Sequence, residues 1–318
     1  MRFIPLASVV LGSWLALPVA AADAQPWLQR LAAAEQSQSF QGHFVYERNG
    51  SFSTHRIWHQ VSADGVVRER LLQLDGPVQE VVRVGGQVQC SSSAFADQAA
   101  DTQIWPVRPL NIAQVGESYD VRVVGASRVA GREAVVLGLI PRDQHRYAVE
   151  MHLDEATALP LKSLLLNAEG QLLERLQFSD LELVESAEAD LLASGECKPM
   201  QVVEARSSVA DAWRADWLPA GFVLKAVTVR PSSISDESVA SLVYGDGLAS
   251  FSVFLEPLGG AAVEEARSQL GPTVAVSRRL STVEGDVMVT VVGEVPLGTA
   301  ERVALSIRST VGEASAVQ

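Results

Sequence analysis

The hydrophobic pattern begins with one long apolar run. Apolar residues fill most positions of Phe3–Ala21, a single basic residue, Arg2, precedes them, and small residues with an Ala-x-Ala pattern follow. These features are typical of a secretory signal peptide. We therefore expect residues 1–22 to be a signal peptide, cleaved after position 22 or 24, and the mature chain to be exported. The alternative is an uncleaved membrane anchor, which Pro5 and Pro18 disfavour because they interrupt the run.

The next segment, residues 25–39, is predicted to form one short amphipathic helix. Its apolar residues recur at the spacing of one helix face, and Pro26 suits the first turn of a helix. These apolar positions are Trp27, Leu28, Leu31 and Ala34.

From residue 41 the hydrophobic period changes to two, which predicts β-strands. Turn signals such as Asn49-Gly50 separate about eleven short segments at 8–12-residue spacing. This pattern predicts one large antiparallel sheet, curved or barrel-like, rather than a parallel α/β fold. The predicted strands are Gln41–Arg48, Ser53–Val61, Val66–Leu74, Val78–Val84, Gln87–Cys90, Tyr119–Val124, Glu133–Leu139, Tyr147–Leu153, Leu161–Leu166, Gln171–Phe178 and Leu181–Val184. The stretch from residue 91 to about 112 lacks a clear period and is predicted to be irregular.

The alternation fades over residues 186–212, which we interpret as a linker with one helical turn. A smaller α+β unit follows, with a closing helix over Thr299–Ser309 and Thr299 as its N-cap. Its predicted strands are Val223–Val229, Ser241–Tyr244, Ala249–Glu256, Val274–Arg279 and Val287–Gly293. The chain is therefore predicted to be mostly β, with a large domain over residues 25–185 and a small domain over residues 213–318.

The composition agrees with two globular domains. The chain has 318 residues, 47% of them hydrophobic and 20% charged, which is near the practical size limit of one core. Its net charge of −13 and the lack of a basic run argue against nucleic acid as a partner. Nearly all positive charge is arginine, whose planar fork binds carboxylates and phosphates through two hydrogen bonds.

The sequence has no recognisable catalytic or metal-binding motif. A phosphate-binding loop, a nucleophile elbow, a zinc-protease helix and a calcium loop are all lacking. The strongest polar cluster is His43, His55 and His59, but the last two would lie about 13 Å apart along a strand. We expect these histidines to face solvent or a rim. A turn containing Asp143, His145 and Arg146 lacks an associated nucleophile. We therefore expect a binding protein without cofactor, metal or enzymatic activity.

Two cysteines, Cys90 and Cys197, would enter an oxidising compartment after export. They either form one disulfide or remain two unpaired thiols. Because neither belongs to a Cys-x-x-Cys motif, redox catalysis has no local support.

A half-closed sheet of eleven strands encloses more volume than one helix fills, which predicts a cavity for an acyl chain or an apolar peptide. The alternative is that these side chains only form the core under the helix. The cavity candidates are Phe44, Tyr46, Trp58, Leu72, Leu74, Val82 and Trp105. The candidates for an anionic headgroup are Arg68, Arg70 and Arg83. The candidates for exposed aromatic anchors on a partner surface are Trp217, Phe222, Tyr244, Phe251 and Phe254.

Several segments together resemble the MucB/RseB family, in order and over essentially the whole mature chain. In the large domain they are FQGHFVYERNG, RERLLQLDGPVQEVVR and RDQHRYAVEMHLDEATALPLKSLLLNAEGQLLERLQF. In the small domain they are WLPAGF, SLVYGDGLASFSVFLEP and TVVGEVPLGTAERVALSI. The resemblance is strongest to the pseudomonad branch of the family.

This resemblance implies a large domain similar to the lipoprotein carriers LolA and LolB, an unclosed β-barrel with an apolar cavity. It implies a periplasmic regulator that binds the periplasmic segment of a membrane anti-sigma factor of the MucA or RseA type. Bound there, the regulator would protect the segment from proteolysis and restrain the envelope-stress sigma factor. Lipid or lipopolysaccharide would release it, homo-oligomers would form, and this branch would repress alginate production. The alternatives are a LolA-like carrier of lipids or lipoproteins and, less favoured, an exported hydrolase.

Overall fold

The computed structural model describes residues 24–77, 79–92, 112–199, 212–231 and 238–310. The expected signal peptide and the cavity candidate Trp105 lie outside these residues. Within them the chain is mostly β, as the alternating pattern predicted. No helix in the described ranges is long and apolar enough to cross a bilayer.

The large domain is one antiparallel sheet that does not close on itself. It begins with α1 (Gln25–Ser37), and α2 (Ile112–Ser118) precedes its sixth strand. The strands are β1 (Phe40–Arg48), β2 (Ser51–Val61), β3 (Val67–Gln73), β4 (Glu80–Val84), β5 (Gln87–Ser91), β6 (Tyr119–Val129), β7 (Arg132–Pro141), β8 (Ala148–Asp154), β9 (Pro160–Leu166), β10 (Leu172–Glu182) and β11 (Lys198–Pro199). Their spatial order is β11-β5-β4-β3-β2-β1-β10-β9-β8-β7-β6, so β1 pairs with both β2 and β10.

Three predictions for this domain need correction. The predicted strand at Leu181–Val184 is not separate, because β10 continues through Glu182 across a bulge opposite β1. The eleventh strand is instead Lys198–Pro199, which belongs to the predicted linker and pairs with β5. The helix α2 was missed because its sequence follows the irregular stretch and includes Gly116. The predicted turn in the linker is present as a 3₁₀ helix at Glu188–Leu191.

The core of the large domain lies on one face of the sheet, which we call the inner face because α1 packs on it. Leu28, Leu31 and Ala34 of α1 are buried there. One part of the core gathers Phe40, Phe44, Ile57, Leu71 and Phe178 around Ala34, and the other gathers residues of β6, β7 and β8 around Leu28 and Leu31. The opposite face of the sheet is called the outer face below.

Within the described residues, the small domain contains a six-stranded antiparallel sheet, a two-stranded sheet and one helix. The strands are β12 (Trp213–Ala215), β13 (Val223–Pro231), β14 (Ser238–Gly245), β15 (Ser250–Pro257), β16 (Ala266–Leu270), β17 (Thr273–Thr282), β18 (Gly285–Gly293) and β19 (Ile307–Ser309), and the helix is α3 (Leu297–Ser306). The larger sheet has the order β13-β14-β15-β18-β17-β16, and β12 pairs with β19.

The predicted closing helix is correct in place but wrong at both ends. It begins at Leu297 after Pro296, so Thr299 lies inside its first turn and is not the N-cap. It ends at Ser306, because Ile307–Ser309 pairs with β12 and this pairing overrides the local helical period. Strand β16 was also missed, since all five of its residues are exposed and carry no alternating pattern.

Candidate functional site

The inner face of the large sheet contains buried histidines among apolar side chains. His59 is 1% exposed and stacks on Phe40 with 4.7 Å between ring centroids, and His55 is 3% exposed and stacks on Phe44 at 5.1 Å. The prediction that these two histidines face solvent or a rim is therefore wrong, because their strand positions share a face with the aromatic core. Only His43 lies on the outer face, where its Nδ1 is 2.9 Å from Oδ1 of Asp180.

His59 joins helix α1 to the sheet. Its Nε2 donates to the backbone oxygen of Glu35 over 2.9 Å, and its Nδ1 lies 2.9 Å from Oε1 of Glu69. The second carboxylate oxygen of Glu69 is 3.8 Å from Arg83. Burial, and then the charge of Glu69, raise the pKa of the Glu35 carboxyl group to about 8. The sequence did not reveal this cluster. Its one indication in the sequence was Glu35, an acidic residue on the apolar face of α1.

The six cavity candidates within the described residues do not share one surface. Phe44 lies in the inner core and Tyr46 packs against it. Trp58 pairs with Arg70, and Arg70 pairs with Val82, which places this row on the outer face because paired residues point the same way. Leu72 pairs with Arg56 and shares the outer face, while Leu74 follows β3 and is 48% exposed. A lipid contact at any of these residues stays a prediction.

The three headgroup candidates also lie on different faces of the sheet. Arg68 is exposed on the outer face, next to Arg70 in the alternating order of β3. Nε of Arg70 donates to Glu80 over 2.6 Å, and its Nη1 donates to the backbone oxygen of Asp190 over 3.0 Å. Arg83 pairs in register with Glu69 and therefore lies on the inner face.

The partner-surface candidates are mostly core residues of the small domain. Phe222, Tyr244 and Phe251 are 2–5% exposed and stack on one another, so the expectation that they are exposed anchors is wrong. They are buried because they belong to one hydrophobic core with Ala300 and Val303 of α3. Phe254 is half-buried and pairs with Ser241 and Thr290. Trp217 is half-buried where the two domains meet, 5.1 Å from the ring of His145.

A buried ion pair joins the two domains. Nη1 of Arg146, in the large domain, donates to Oδ2 of Asp246 in the small domain over 2.5 Å, and both side chains are fully buried. The other Arg146 nitrogens donate to Asp143 and to the backbone oxygen of Ala220. Tyr119 donates its hydroxyl to Asp246 over 3.3 Å. The sequence placed Arg146 in a turn and could not show its partner 100 residues away.

A second polar contact also joins the two domains. Arg48 of β1 pairs with Glu174 of β10 at 3.2 Å and with Glu294 of the small domain. Tyr46 donates its hydroxyl to Glu174 over 2.7 Å. Burial, followed by the nearby charge of Glu294, raises the pKa of Glu174 to about 7. Two carboxyl groups from different domains therefore share one guanidinium group.

The first part of the linker is fixed to the outer face of the large sheet. Cys90 of β5 and Cys197 form a disulfide that spans 107 residues. Glu80 of β4 is buried and accepts hydrogen bonds from the backbone N–H and the hydroxyl of Ser194 as well as from Arg70. Within the described ranges, residues 188–199 are thus part of the large domain rather than a free connection.

Two family models match successive parts of the chain. The family model described as the MucB/RseB N-terminal domain matches residues 23–197, and the one described as the MucB/RseB C-terminal domain matches residues 207–308. The chain belongs to the MucB/RseB family. As a MucB/RseB chain, it carries both family domains, in the family order, on the two units described above.

Individual MucB/RseB proteins are similar over nearly the full length. The chain is 62% identical over 302 residues to the sigma factor AlgU regulatory protein MucB of Pseudomonas aeruginosa, covering 94% of this chain and 96% of that protein. It is 27% identical to the sigma-E factor regulatory protein RseB of Escherichia coli, covering 88% and 89%. A solved structure of the Pseudomonas aeruginosa MucA/MucB complex matches with a TM-score of 0.79 and 62% identity, covering 91% of this chain and 99% of that one.

Proposed function

We propose that this chain binds the periplasmic segment of a membrane anti-sigma factor of the MucA/RseA type and thereby restrains the envelope-stress sigma factor. The observation that carries the proposal is the 62% identity over 94% of the chain with a MucB whose solved structure includes MucA. The proposed action is occupancy of a partner segment, without catalysis.

The joint between the domains supports this mode of action. Interfaces between domains of one chain are commonly weak enough to allow relative motion. Here the buried pair of Arg146 and Asp246, together with the contacts of Arg48, fixes one domain against the other. Because the two domains are already fixed, they lose less freedom when an extended segment contacts both of them.

The bound segment would be protected from the first regulatory protease, and lipid or lipopolysaccharide would release it in the periplasm. Release requires that lipid bind the free chain more tightly than it binds the complex. In the pseudomonad branch, the expected consequence of binding is repression of alginate production.

Isothermal titration of the mature full-length chain with the purified periplasmic segment of a MucA-type anti-sigma factor tests the proposal. We expect saturable binding, slower cleavage of the segment by the regulatory protease, and weaker binding after addition of lipopolysaccharide. Absence of binding would refute the proposed function. Binding that is insensitive to lipopolysaccharide would refute only the release step. Transfer of an acylated protein between membranes, without binding of the segment, would favour the carrier alternative.

A further inference from the structure

The contact around Arg48 brings two carboxyl groups from different domains to one guanidinium group. Arg48 and Glu174 are register partners in the large sheet, and both side chains are largely buried. The register partner of Glu174 on β9 is the apolar Leu165. Glu294, which follows β18 of the small domain, pairs with the same guanidinium group. When both carboxyl groups are ionised, two negative charges therefore face one positive charge.

Among the described residues, Arg48 is the one cationic group that acts on Glu174. Tyr46 donates its hydroxyl to Glu174 over 2.7 Å, and burial, followed by the charge of Glu174, raises the pKa of Tyr46 well above its ordinary value. The ring of His55 lies 6.2 Å from that of Tyr46, and burial lowers the pKa of His55 to about 4. On the side of the small domain, burial and then the charge of Glu294 raise the pKa of a further phenol, that of the large-domain residue 147, to about 12. At neutral pH these three side chains are uncharged and cannot balance the second carboxylate.

The small domain packs closely against this contact. Gly271 lies in the turn between β16 and β17, where a Cβ atom on it would be 3.3 Å from Cγ of Arg48 and 3.6 Å from Cβ of Asn49. Tyr147 donates its hydroxyl to the backbone oxygen of Val295 over 3.2 Å. Protein atoms thus replace part of the water around the carboxyl groups, and a charge that loses water needs compensation from the protein.

This environment favours the protonated form of Glu174. Burial and then the charge of Glu294 raise the pKa of Glu174 from 4.5 to about 7, although Arg48 and Tyr46 act in the opposite direction. If the domains separate at this contact, Glu174 regains water and loses the neighbouring charge, so its pKa should return toward 4.5. The joined state therefore holds the proton more tightly than the separated state. By linkage, a pH that rises from about 4.5 to about 7 weakens the joined state.

The other ion pair between the domains has a different set of partners. Asp246 accepts the backbone N–H groups of Leu248 and Ala249 over 2.9 and 2.7 Å, in addition to the guanidinium group of Arg146. Donors of this kind compensate the charge of a carboxylate. Loss of the proton at Glu174 thus weakens one polar contact between the domains and leaves the other in place.

We propose that the contact of Arg48 with Glu174 and Glu294 is a proton-dependent latch between the two domains. It holds while one of the two carboxyl groups is protonated, and it loosens when both are ionised and repel each other. The latch is therefore closed at pH 5.5 and weakened at pH 8. An anti-sigma segment that contacts both domains would be bound more tightly at the lower pH, and this consequence alone rests on the proposed function.

Carbon-13 nuclear magnetic resonance of the glutamate carboxyl groups in the full-length mature chain tests the coupling between the domains. The Glu174 signal is assigned by its loss in E174Q. We expect this signal to titrate with a midpoint near pH 7. The substitution E294Q removes the charge on the other domain and should lower the midpoint by about one unit or more. The matched control is E284Q, in an exposed turn of the small domain, which should leave the midpoint unchanged.

Hydrogen exchange at pH 5.5 and pH 8, corrected for the intrinsic pH dependence of exchange, measures opening at the latch. A pKa difference of one unit corresponds to a tenfold change in an equilibrium constant. We therefore expect opening over residues 271–273 and 294–296 to increase at least about tenfold at pH 8. E174Q, which cannot ionise, should abolish this increase, whereas E182Q, at the exposed end of β10, should retain it.

The latch is refuted if Glu174 titrates near its ordinary value of 4.5, if E294Q leaves its midpoint unchanged, or if E174Q opens with rising pH as the unaltered chain does. Neither measurement includes an anti-sigma factor, so failure of the latch and failure of the proposed function are separate results.

Discussion

Glu35 is an acidic residue whose pKa is raised to about 8 by burial in the fold. Helix α1 turns this side chain toward the inner face, where it is 5% exposed and lies near Glu69. The sequence indicated which face of α1 is apolar, but it could not show that His59 and Glu69 would meet that face. The reason is that β2 and β3 reach the helix only through the register of the sheet.

The pKa of Glu35 predicts a dependence of stability on pH. With a pKa of about 8 in the folded chain and an ordinary value of 4.5, the folded state holds an extra proton between these pH values. The free energy of unfolding should therefore fall as the pH rises from about 4.5 to about 8. Urea denaturation at pH 5 and pH 8 measures this fall, and E35Q should reduce it.

The exposed turn residue Glu169 provides the matched control, since E169Q should leave the pH dependence unchanged. Some dependence should remain in E35Q, because the raised pKa of Glu174 acts in the same direction up to about pH 7. An equal slope for E35Q and the unaltered chain would show that Glu35 is ionised in the folded state at neutral pH.

At the scale of elements, the disulfide between Cys90 and Cys197 determines where the linker begins. It closes a loop over 107 residues, and loops of this length lose much chain entropy when they are cross-linked. The double variant C90S/C197S should therefore lower the free energy of unfolding by about 2–5 kcal/mol. Urea denaturation measures the loss, and hydrogen exchange should increase over residues 188–199.

Reduction of the unaltered chain should reproduce the behaviour of the double variant, since both lack only the cross-link. If exchange over residues 188–199 stayed slow without the disulfide, the hydrogen bonds to Glu80 would be sufficient to hold this segment.

The sequence predicted elements well where one face of a strand is buried. The Asn49-Gly50 hairpin is present, with positive φ at both residues, because these two residue types tolerate that conformation. Strand β16 was missed because an exposed edge strand needs no apolar alternation. The end of α3 was wrong because pairing of Ile307–Ser309 with β12 depends on a contact about 90 residues away in sequence. Burial thus leaves a local pattern, whereas pairing between distant segments does not.

At the scale of the whole molecule, the pair of Arg146 and Asp246 should control how the domains are held. Removing one partner leaves the other charge buried without compensation, so R146M should destabilise the chain by about 3–5 kcal/mol. The double variant R146M/D246L should recover part of this loss, because no unpaired charge remains. Chemical denaturation measures both effects, and small-angle scattering should show a larger radius of gyration for R146M.

The exposed pair of Arg128 and Glu133 is a suitable control for this prediction. Both side chains are more than half exposed, so R128M should change stability by less than about 1 kcal/mol. If R146M proved as harmless as R128M, the domains would be held by their apolar contacts and by Arg48.

The central place of β1 in the large sheet has a consequence during synthesis. This strand is among the first to leave the ribosome, yet its partner β10 follows roughly 125 residues later. At about 5–20 residues per second, β1 waits about 6–25 s with one row of backbone groups unsatisfied. During that time another extended polypeptide can pair with the free edge of β1. The yield of folded protein therefore depends on keeping this edge covered until β10 has been synthesised.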